Sequence, residues 1–387
     1  MIESPAETRV TSTGAASRDL AVSHIESRAA FLPLEEEWNR LVEECHAGPF
    51  NRHQSIRIWL DSFAPSAKFV ILIARDATGA LVAALPLLPE KGRVCGLPAR
   101  LLVAAANTHS CRFDMVARDP LAASRAFLAH LLVRRDWQVL RITDVPEGGS
   151  AWQLHKAAIE LGLPVGAWES QRSPYLEFPK SYEALLADKS PQFRANLRRR
   201  RRQLERRGEL TFERVTGGAE LVERLDEGFD LERRGWKGTQ GTAIAQHKAT
   251  RAFYGEFAKD AASRGELCLS FLRLDGRAIA FHYGFVHDGI YYVPKLSYDE
   301  SLQRCSPGLV LLEEAVRRGI EEGLRGYDFL GAESDWKTKW SSSVTPHHWL
   351  FIFRDSGVGH ALRSAKFEWA PFARRALSGV EKLWGLA

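Results

Sequence analysis

The chain has 387 residues, of which 45% are hydrophobic and 26% charged, and its formal net charge is +5. The apolar fraction excludes a disordered chain, and the length predicts two domains. Residues 194–207 contain eight Arg and one Glu, so the rest of the chain sums to −2, which argues against a uniformly basic nucleic-acid-binding protein.

Cysteine usage and the apolar segments indicate the compartment. The five cysteines are scattered and never form a C-x-x-C pair, so we expect reduced thiols and neither a disulfide framework nor a metal site. Residues 1–20 lack the apolar segment of a signal peptide, and we expect them to be disordered. The most apolar stretch, residues 80–89, is too short to span a membrane. These features predict a cytoplasmic protein.

The first half of the chain, residues 21–180, alternates predicted helices and strands. Helical spacing of apolar residues predicts four helices, at 34–45, 53–63, 121–134 and 151–161. Alternating or continuous apolar runs predict four strands, at 69–75, 80–88, 101–106 and 138–142.

The second half, residues 209–358, shows a clearer order of elements. Strands are predicted at 210–215, 266–274, 278–286, 290–297, 326–330 and 348–354, and helices at 219–234, 249–264 and 307–323. Two Asp-Gly turns join the three central strands into a meander. The order β-α-α-β-β-β-α-β resembles the GNAT acyltransferase fold, and the first half repeats a thinner version. We therefore predict an α/β fold with a mixed sheet and two tandem GNAT-like domains, the second carrying the acyl-CoA site.

The start of the helix after the meander is a candidate cofactor site. Ser306 stands at the cap position and Pro307 at the first helical position, as is typical of helix starts. The free N–H groups and the dipole of this helix end would suit the pyrophosphate of coenzyme A, with Gly308 and Leu309 close to the ligand. The alternative is an ordinary capped helix.

Two meander strands carry candidate catalytic side chains. His282 shares a strand face with small residues and could accept the proton of a bound amine, although it could also be hydrogen-bonded within the sheet. Tyr292 on the next strand could protonate a leaving thiolate, and Lys295 could contact substrate. Packing is the alternative for these strand residues.

The segment from 327 to 337 combines carboxylates with a tryptophan and a lysine. Asp328 and Glu333 could bind an amine or act as a base, and Trp336 and Lys337 are candidate substrate contacts. Lys337 could instead neutralise a phosphate. Solvated loop charges are the alternative.

The arginine run predicts a helix that connects the two halves, within residues 181–208. Phe193, Leu197 and Leu204 mark one apolar line, and Arg194 and Arg198 are candidate contacts for a phosphate-bearing substrate, an anionic membrane surface or a regulatory nucleotide. A solvated connector is the alternative. Residues 359–387 form a second basic amphipathic segment that could lie on a membrane or dock onto the protein.

Six segments within residues 190–340 carry a resemblance to a known family. They are F-R-A-N-L-R-R-R from Phe193, G-W-K-G-T-Q-G-T-A-I with Trp236, L-D-G-R-A-I-A-F-H-Y-G-F from Leu274, K-L-S-Y-D-E from Lys295, S-P-G-L-V-L-L-E from Ser306 and Y-D-F-L-G-A-E from Tyr327. Taken together, these segments resemble the CelD/BcsL-type acyltransferase family, a tandem-domain branch of the GNAT superfamily with an architecture related to that of the Fem aminoacyl transferases. Residues 332–337, A-E-S-D-W-K, depart from the G-D-E-x-Y-K pattern of many relatives, which leaves the role of Glu333 or Asp335 open.

The resemblance implies an acyl-CoA-dependent N-acyltransferase that transfers an acetyl or longer acyl group to a primary amine, with Trp236 among the substrate contacts. An amino sugar destined for exopolysaccharide is the first expectation for the acceptor. A long-chain amino lipid, such as a sphingoid base that yields a ceramide-type amide, is the second, and it would place the protein at the inner face of the membrane. A third hypothesis is a non-catalytic protein that senses an anion or nucleotide, or binds nucleic acid, through the arginine-rich helix.

Overall fold

The computed structural model describes residues 20–370 and divides the chain into two compact units. Within the described range, the first unit contains residues 20–60, 64–171 and 346–370, and the second contains residues 61–63 and 172–345. The expectation for residues 1–19 and that for residues 371–387 of the basic tail lie outside this range. None of the helices within residues 20–370 is long and apolar enough to cross a membrane.

The first unit is built on an antiparallel sheet with one parallel pair. Its strands lie in the order β1-β2-β3-β4-β6-β13, and the parallel pair is β4 with β6. Its elements are β1 (Ala21–Ile25), α1 (Arg28–Phe31), α2 (Glu35–Glu44), α3 (His53–Phe63), β2 (Val70–Arg75), β3 (Leu81–Val94), β4 (Leu97–Ala104), β5 (Val116–Ala117), α4 (Pro120–Val133), β6 (Val139–Pro146), α5 (Trp152–Glu160), the first residues of β7 (Val165–Glu177), β13 (Ser343–Phe353) and α13 (Gly357–Ser364).

The second unit has the same kind of sheet. Its strands lie in the order β7-β12-β11-β10-β9-β8, and only β11 and β12 run parallel. Its further elements are α6 (Tyr182–Ala187), α7 (Pro191–Glu205), β8 (Leu210–Val215), α8 (Leu221–Arg234), α9 (Trp236–Thr239), α10 (Lys248–Ser263), β9 (Leu269–Leu274), β10 (Arg277–His287), β11 (Ile290–Tyr298), α11 (Pro307–Glu321), β12 (Gly326–Asp328) and α12 (Asp335–Thr338).

Both units repeat one plan. In the first, the meander β2-β3-β4 is followed by α4 and then by β6, which runs parallel to β4. In the second, the meander β9-β10-β11 is followed by α11 and then by β12, which runs parallel to β11. The α/β fold with a mixed sheet that the sequence predicts is confirmed, and the duplication is visible in the strand pairing.

The structure places two segments differently from the sequence expectation. The strand expected at the end of the second domain, β13, pairs with β6 of the first unit, with Leu350 opposite Ile142. The alternation of apolar residues in this segment specifies a strand but not its partner. Helix α7, expected as a connector, belongs to the second unit and packs on α11 through buried Leu197 and Leu204.

Alternation along β10 divides the core of the second unit into two faces. Phe281, Tyr283 and Phe285 point toward α8 and α10, where Tyr283 Oη donates to the carbonyl of Tyr254 at 2.7 Å. Ala280 points the other way and packs with apolar residues of α11. Side chains of adjacent positions therefore reach opposite layers of the unit.

The arginine-rich helix is joined to α11 by a buried ion cluster as well as by its leucines. Arg201 Nη2 lies 2.9 Å from Glu314 Oε2, and Glu314 is 4% exposed. Burial opposes ionisation of this carboxyl, but hydrogen bonds from Arg318, Arg317 and Arg201 lower the pKa of Glu314 to about 2. Part of the positive charge that the sequence concentrates on α7 is therefore neutralised inside the unit.

A pair of glycine substitutions tests the packing of α8 on β10. A Cβ at Gly228 would lie 2.5 Å from the Phe281 ring, whereas a Cβ at Gly255 of α10 would meet nothing within 4 Å. We expect Gly228→Ala to lower the free energy of unfolding by about 1–3 kcal/mol because the ring must move. Gly255→Ala should raise it by about 0.5–1 kcal/mol through helix propensity. Urea denaturation measures both, and equal effects would contradict the packing.

The ion cluster leads us to expect that the free energy of unfolding falls at acid pH. Because the folded pKa of Glu314 is about 2 and the ordinary value is 4.5, its contribution is present above pH 4.5 and is lost as the pH falls toward 2. We expect Glu314→Gln to lower the free energy of unfolding at pH 7 by about 1–3 kcal/mol, and the difference from wild type to shrink as pH falls through that window. The control Glu321→Gln, at an exposed pair on the same helix, should cost less than about 0.5 kcal/mol.

Candidate functional site

In the second unit, the parallel strands β11 and β12 pair over only three residues and then separate. Pairing runs from Ile290 with Gly326 to Tyr292 with Asp328, but β11 continues to Tyr298 whereas β12 ends at Asp328. The chain then turns through two residues with left-handed backbone, Leu330 at φ +49° and Gly331 at φ +62°. Positive φ is unusual for leucine and marks a constrained turn. Beyond Tyr292, β11 therefore has one edge without a ladder partner among residues 20–370, which we call the β11 edge.

The direction of the backbone groups along the β11 edge follows from the β10 ladder. Asp299 N–H donates to the carbonyl of Ile279 at 2.9 Å, so alternate residues bond to β10 and the residues between them point their N–H and C=O outward. Leu296 and Tyr298 are the outward-pointing residues. A bulge places two residues, Val293 and Pro294, opposite one residue of β10. Since proline has no N–H, Leu296 presents the first free donor after the bulge.

The β11 edge leads toward the start of α11. Ser306 has left-handed backbone, at φ +52° and ψ +59°, and its hydroxyl does not cap the helix, contrary to the expectation for a capping serine. Pro307 is the first helical residue, as predicted. Within the described chain no hydrogen bond involves the Gly308 N–H, and a Cβ on Gly308 would lie 3.4 Å from the Tyr298 ring. Leu309 donates its N–H to the Ser306 carbonyl at 3.0 Å.

His282 lies on the α11 face of the sheet and is almost fully buried, with 2% exposure. Its neighbours are polar or aromatic: Ser270 is its ladder partner, and the Tyr327 ring is edge-on at 6.4 Å. Burial lowers the pKa of His282 to about 3, and Nδ1 has no hydrogen-bond partner among the described residues. The imidazole is therefore uncharged at neutral pH and poorly matched to accept an amine proton there.

Tyr292 and Asp328 face the opposite layer, at the point where the two strands separate. They are ladder partners, so their side chains share a face, and Tyr292 stacks on Phe285 with ring centroids 5.4 Å apart. Asp328 is 4% exposed and accepts the N–H of Leu330 on Oδ1 at 3.0 Å. Lys295 lies on the same face, with Nζ 5.5 Å from the Tyr254 ring. The structure thus brings Tyr292 and Asp328 together and places His282 on the other side of the sheet.

Lys337, a predicted substrate contact, instead stabilises the loop after β12. Lys337 Nζ donates to the carbonyls of Leu330 and Ala332 at 2.6 and 2.9 Å. Trp336 is 38% exposed and packs edge-to-face on a phenylalanine of the same loop. Glu333 is half-exposed, with a carboxylate oxygen 3.9 Å from Arg172 Nε. Lys337 therefore fixes the loop conformation through two backbone contacts.

The predicted arginine contacts on α7 have different surroundings. Arg194 donates to the carbonyl of Leu186 at 3.0 Å, and Arg198 is exposed. Arg200 donates to the carbonyl of Arg304, two residues before Ser306, so the middle of α7 approaches the start of α11. A groove of about 550 Å³ lies along the first turns of α7, with Arg199 at its border.

Sequence reasoning missed an ion pair beside the β11 edge. Lys237 Nζ donates to Glu232 Oε1 at 2.7 Å and to the outward-pointing carbonyl of Leu296 at 2.8 Å. Glu232 is 2% exposed, and its other oxygen accepts the N–H of Ile244 at 2.8 Å. The segment that contains this pair, G-W-K-G-T-Q-G-T, was noted in the sequence, but the prediction named only Trp236 in it.

Comparisons with known proteins identify a family match in the second unit. Residues 191–338 match the family model described as Acetyltransferase (GNAT) domain. No curated protein matches the chain. The match covers α7 to α12 and thus includes the β11 edge and the start of α11.

Three solved structures resemble this chain over most of its length. The C-terminal domain of a putative lysylphosphatidylglycerol synthetase from Agrobacterium fabrum is 14% identical, with 87% of this chain and 96% of that chain covered and a TM-score of 0.52. L-PGS from Bacillus licheniformis is 13% identical, with coverage of 86% and 96% and a TM-score of 0.50. FemX is 10% identical, with coverage of 88% and 100% and a TM-score of 0.53. At these identities the similarity shows the fold. The family match adds that residues 191–338 resemble a GNAT acetyltransferase domain, and this match supports an acyltransferase.

Proposed function

We propose that the protein transfers an acyl group from acyl-CoA to a primary amine at the β11 edge. The observation that carries this proposal is a set of backbone N–H groups, at Leu296, Tyr298 and Gly308, that point away from the β10 ladder or lie at the start of α11 and have no partner within residues 20–370. Amide donors along a strand edge suit the amide-containing arm of coenzyme A, and a helix N-terminus suits its pyrophosphate. The chain length of the acyl group stays open.

Residues 306–309 would hold the pyrophosphate in this proposal. The backbone of Ser306 directs the chain into α11 without using the first helical N–H groups for a side-chain cap. Gly308 leaves the approach open, since a Cβ built there would come no closer than 3.4 Å to the nearest described atom, on the Tyr298 ring. Arg200 and Arg304 add positive charge close to this helix start.

In the proposed reaction the amine nitrogen attacks the thioester carbonyl, a C–N bond forms and the C–S bond breaks. The Leu296 N–H would donate to the developing oxyanion. The Asp328 carboxylate would take the proton from the attacking nitrogen, and the Tyr292 phenol would donate a proton to the departing thiolate. His282 is not assigned a proton-transfer role, because its pKa is about 3 and it faces α11.

The acceptor remains a proposal with two forms. An amino sugar for exopolysaccharide is supported by the resemblance of residues 190–340 to CelD/BcsL-type sequences. A long-chain amino lipid is supported by the basic segment that begins at residue 359, although residues 371–387 lie outside the described range. The five cysteines are free thiols, which supports a reducing cytoplasmic location for either form.

A non-catalytic role of α7 has its own supporting observation. Arg198, Arg199 and Arg202 are exposed, and the groove along the first turns of α7 could admit an anion or a nucleotide. Salt-dependent binding of generic duplex DNA, lost when these three arginines are replaced by alanine, would favour the nucleic-acid form of this hypothesis.

Calorimetry with coenzyme A tests the cofactor site. We expect wild type to bind CoA and Gly308→Trp to bind at least about tenfold more weakly, because the indole would occupy the approach to the helix N-terminus. The control is Gly357→Trp, at the first residue of α13, where a Cβ meets nothing within 4 Å. Absence of CoA binding by wild type would overturn the assignment.

Asp328→Asn separates a chemical role of this residue from a structural one. The asparagine keeps an oxygen for the Leu330 N–H but cannot accept a proton from the amine. We expect kcat to fall by a factor of about 10² to 10⁴ with the Kd for CoA unchanged. Wild-type kcat in this variant would exclude Asp328 as the base.

His282→Asn tests the buried imidazole. Because burial holds the pKa of His282 at about 3, the wild-type imidazole is neutral throughout the neutral and alkaline range. We therefore expect the variant to lose stability, through changed packing under α11, while the pH dependence of kcat/KM keeps its shape. A limb of the profile near neutral pH that disappears in the variant would assign proton transfer to His282.

A further inference from the structure

A small cavity lies between the β11 strand and the segment that begins at Trp236. Its volume is about 20 Å³, and it is bordered by Glu232, Trp236, Lys237, Leu296 and Ser297. A cavity of this size holds one water molecule or one hydroxyl group. We call it the Ser297 cavity.

Ser297 presents an unpaired hydroxyl at this cavity. The residue is 9% exposed, and its Oγ is buried without a hydrogen-bond partner among residues 20–370. Ser297 is the ladder partner of Phe281, so its side chain points to the α8 face, as those of Tyr292 and Lys295 do. Since buried hydroxyl groups are nearly always hydrogen-bonded, we expect a bound group to form a hydrogen bond with the Ser297 hydroxyl.

Lys237 supplies a second donor from the other side. Its ammonium group has three N–H bonds, of which one goes to Glu232 Oε1 and one to the Leu296 carbonyl. No acceptor for the third is recorded among residues 20–370, and Lys237 borders the cavity. Because the Glu232 carboxylate offsets the charge of Lys237, the cavity favours a neutral oxygen over an anion. A lysine and an unpaired serine hydroxyl that border a space for one oxygen favour a hydroxyl ligand.

The position of the cavity connects this ligand to the reaction. The cavity adjoins Leu296 and Ser297, and the Leu296 N–H is the proposed oxyanion donor. If the Leu296 N–H holds the oxyanion, a group bound in the cavity would be close to the attacking nitrogen. Resting on the proposed function, we propose that the Ser297 cavity binds a hydroxyl of the acceptor, which is therefore an amine with a hydroxyl on a neighbouring carbon. Amino sugars and sphingoid bases both have this feature, whereas alkylamines lack it.

The test compares two probes that differ by one hydroxyl, trans-2-aminocyclohexanol and cyclohexylamine, with release of CoA from acetyl-CoA as the readout. We expect wild type to show at least about tenfold higher kcat/KM for the amino alcohol, of the size that one buried hydrogen bond supplies. Ser297→Ala should lower this value about three- to tenfold and leave that for cyclohexylamine within about twofold. Ser297→Thr, which keeps the hydroxyl but fills the cavity, should also reduce the preference. The control is Ser263→Ala, at the exposed end of α10.

Binding of each amine to the CoA complex, measured by calorimetry, decides the matter where turnover is slow. Equal affinity and equal kcat/KM for the two amines, in wild type and in both Ser297 variants, would overturn the hydroxyl subsite and leave the acyltransferase proposal standing. Failure of wild type to bind CoA would instead overturn the proposed function. An undiminished preference for the amino alcohol in Ser297→Ala would place the hydroxyl elsewhere.

Discussion

The separation of β11 from β12 after the Tyr292–Asp328 pair is the constraint on which the candidate site depends. Pairing over three residues holds both strands in place before they separate. Because Pro294 in the bulge has no N–H, the next outward-pointing N–H of β11 is that of Leu296. Unpaired backbone groups are costly when buried and useful when a ligand completes them. The same geometry that removes a ladder partner from β11 therefore supplies aligned donors beside the start of α11.

The face of the sheet on which a polar side chain lies decides which other polar side chains it can act with. The period of two along β10 and β11 sends His282 under α11 and sends Tyr292, together with Asp328 of β12, toward the layer of α8 and α10. Ser297 shares the second face, and Lys237 reaches the edge of β11 from the same layer. The proposed chemistry and the hydroxyl subsite are thus on one side of the sheet. The imidazole of His282, on the other side of the sheet, is buried beside Ser270 and Tyr327.

The net charge of +5 also has a structural meaning. The arginines of α7 divide into buried and exposed sets: Arg201 joins the cluster around Glu314, whereas Arg198 and Arg202 face outward. Helix α7 is held to α11 by both leucines and ions, so its exposed charge is displayed at a fixed position. Its middle contacts the segment before Ser306, which links the arginine run to the proposed pyrophosphate site.

The sequence by itself determined the type of most helices and strands, the duplicated plan and the helix start at Pro307, because these follow from local periodicity and turn chemistry. It did not predict strands β1 and β7. It did not determine that β13 pairs with β6 or that His282 and Tyr292 face opposite layers, since strand partners and the β11 bulge depend on contacts distant in the chain. The Lys237 contact with Leu296 joins residues 59 positions apart, and no local pattern indicates it. Only the tertiary structure, which sets those distances, decided which residues form the site.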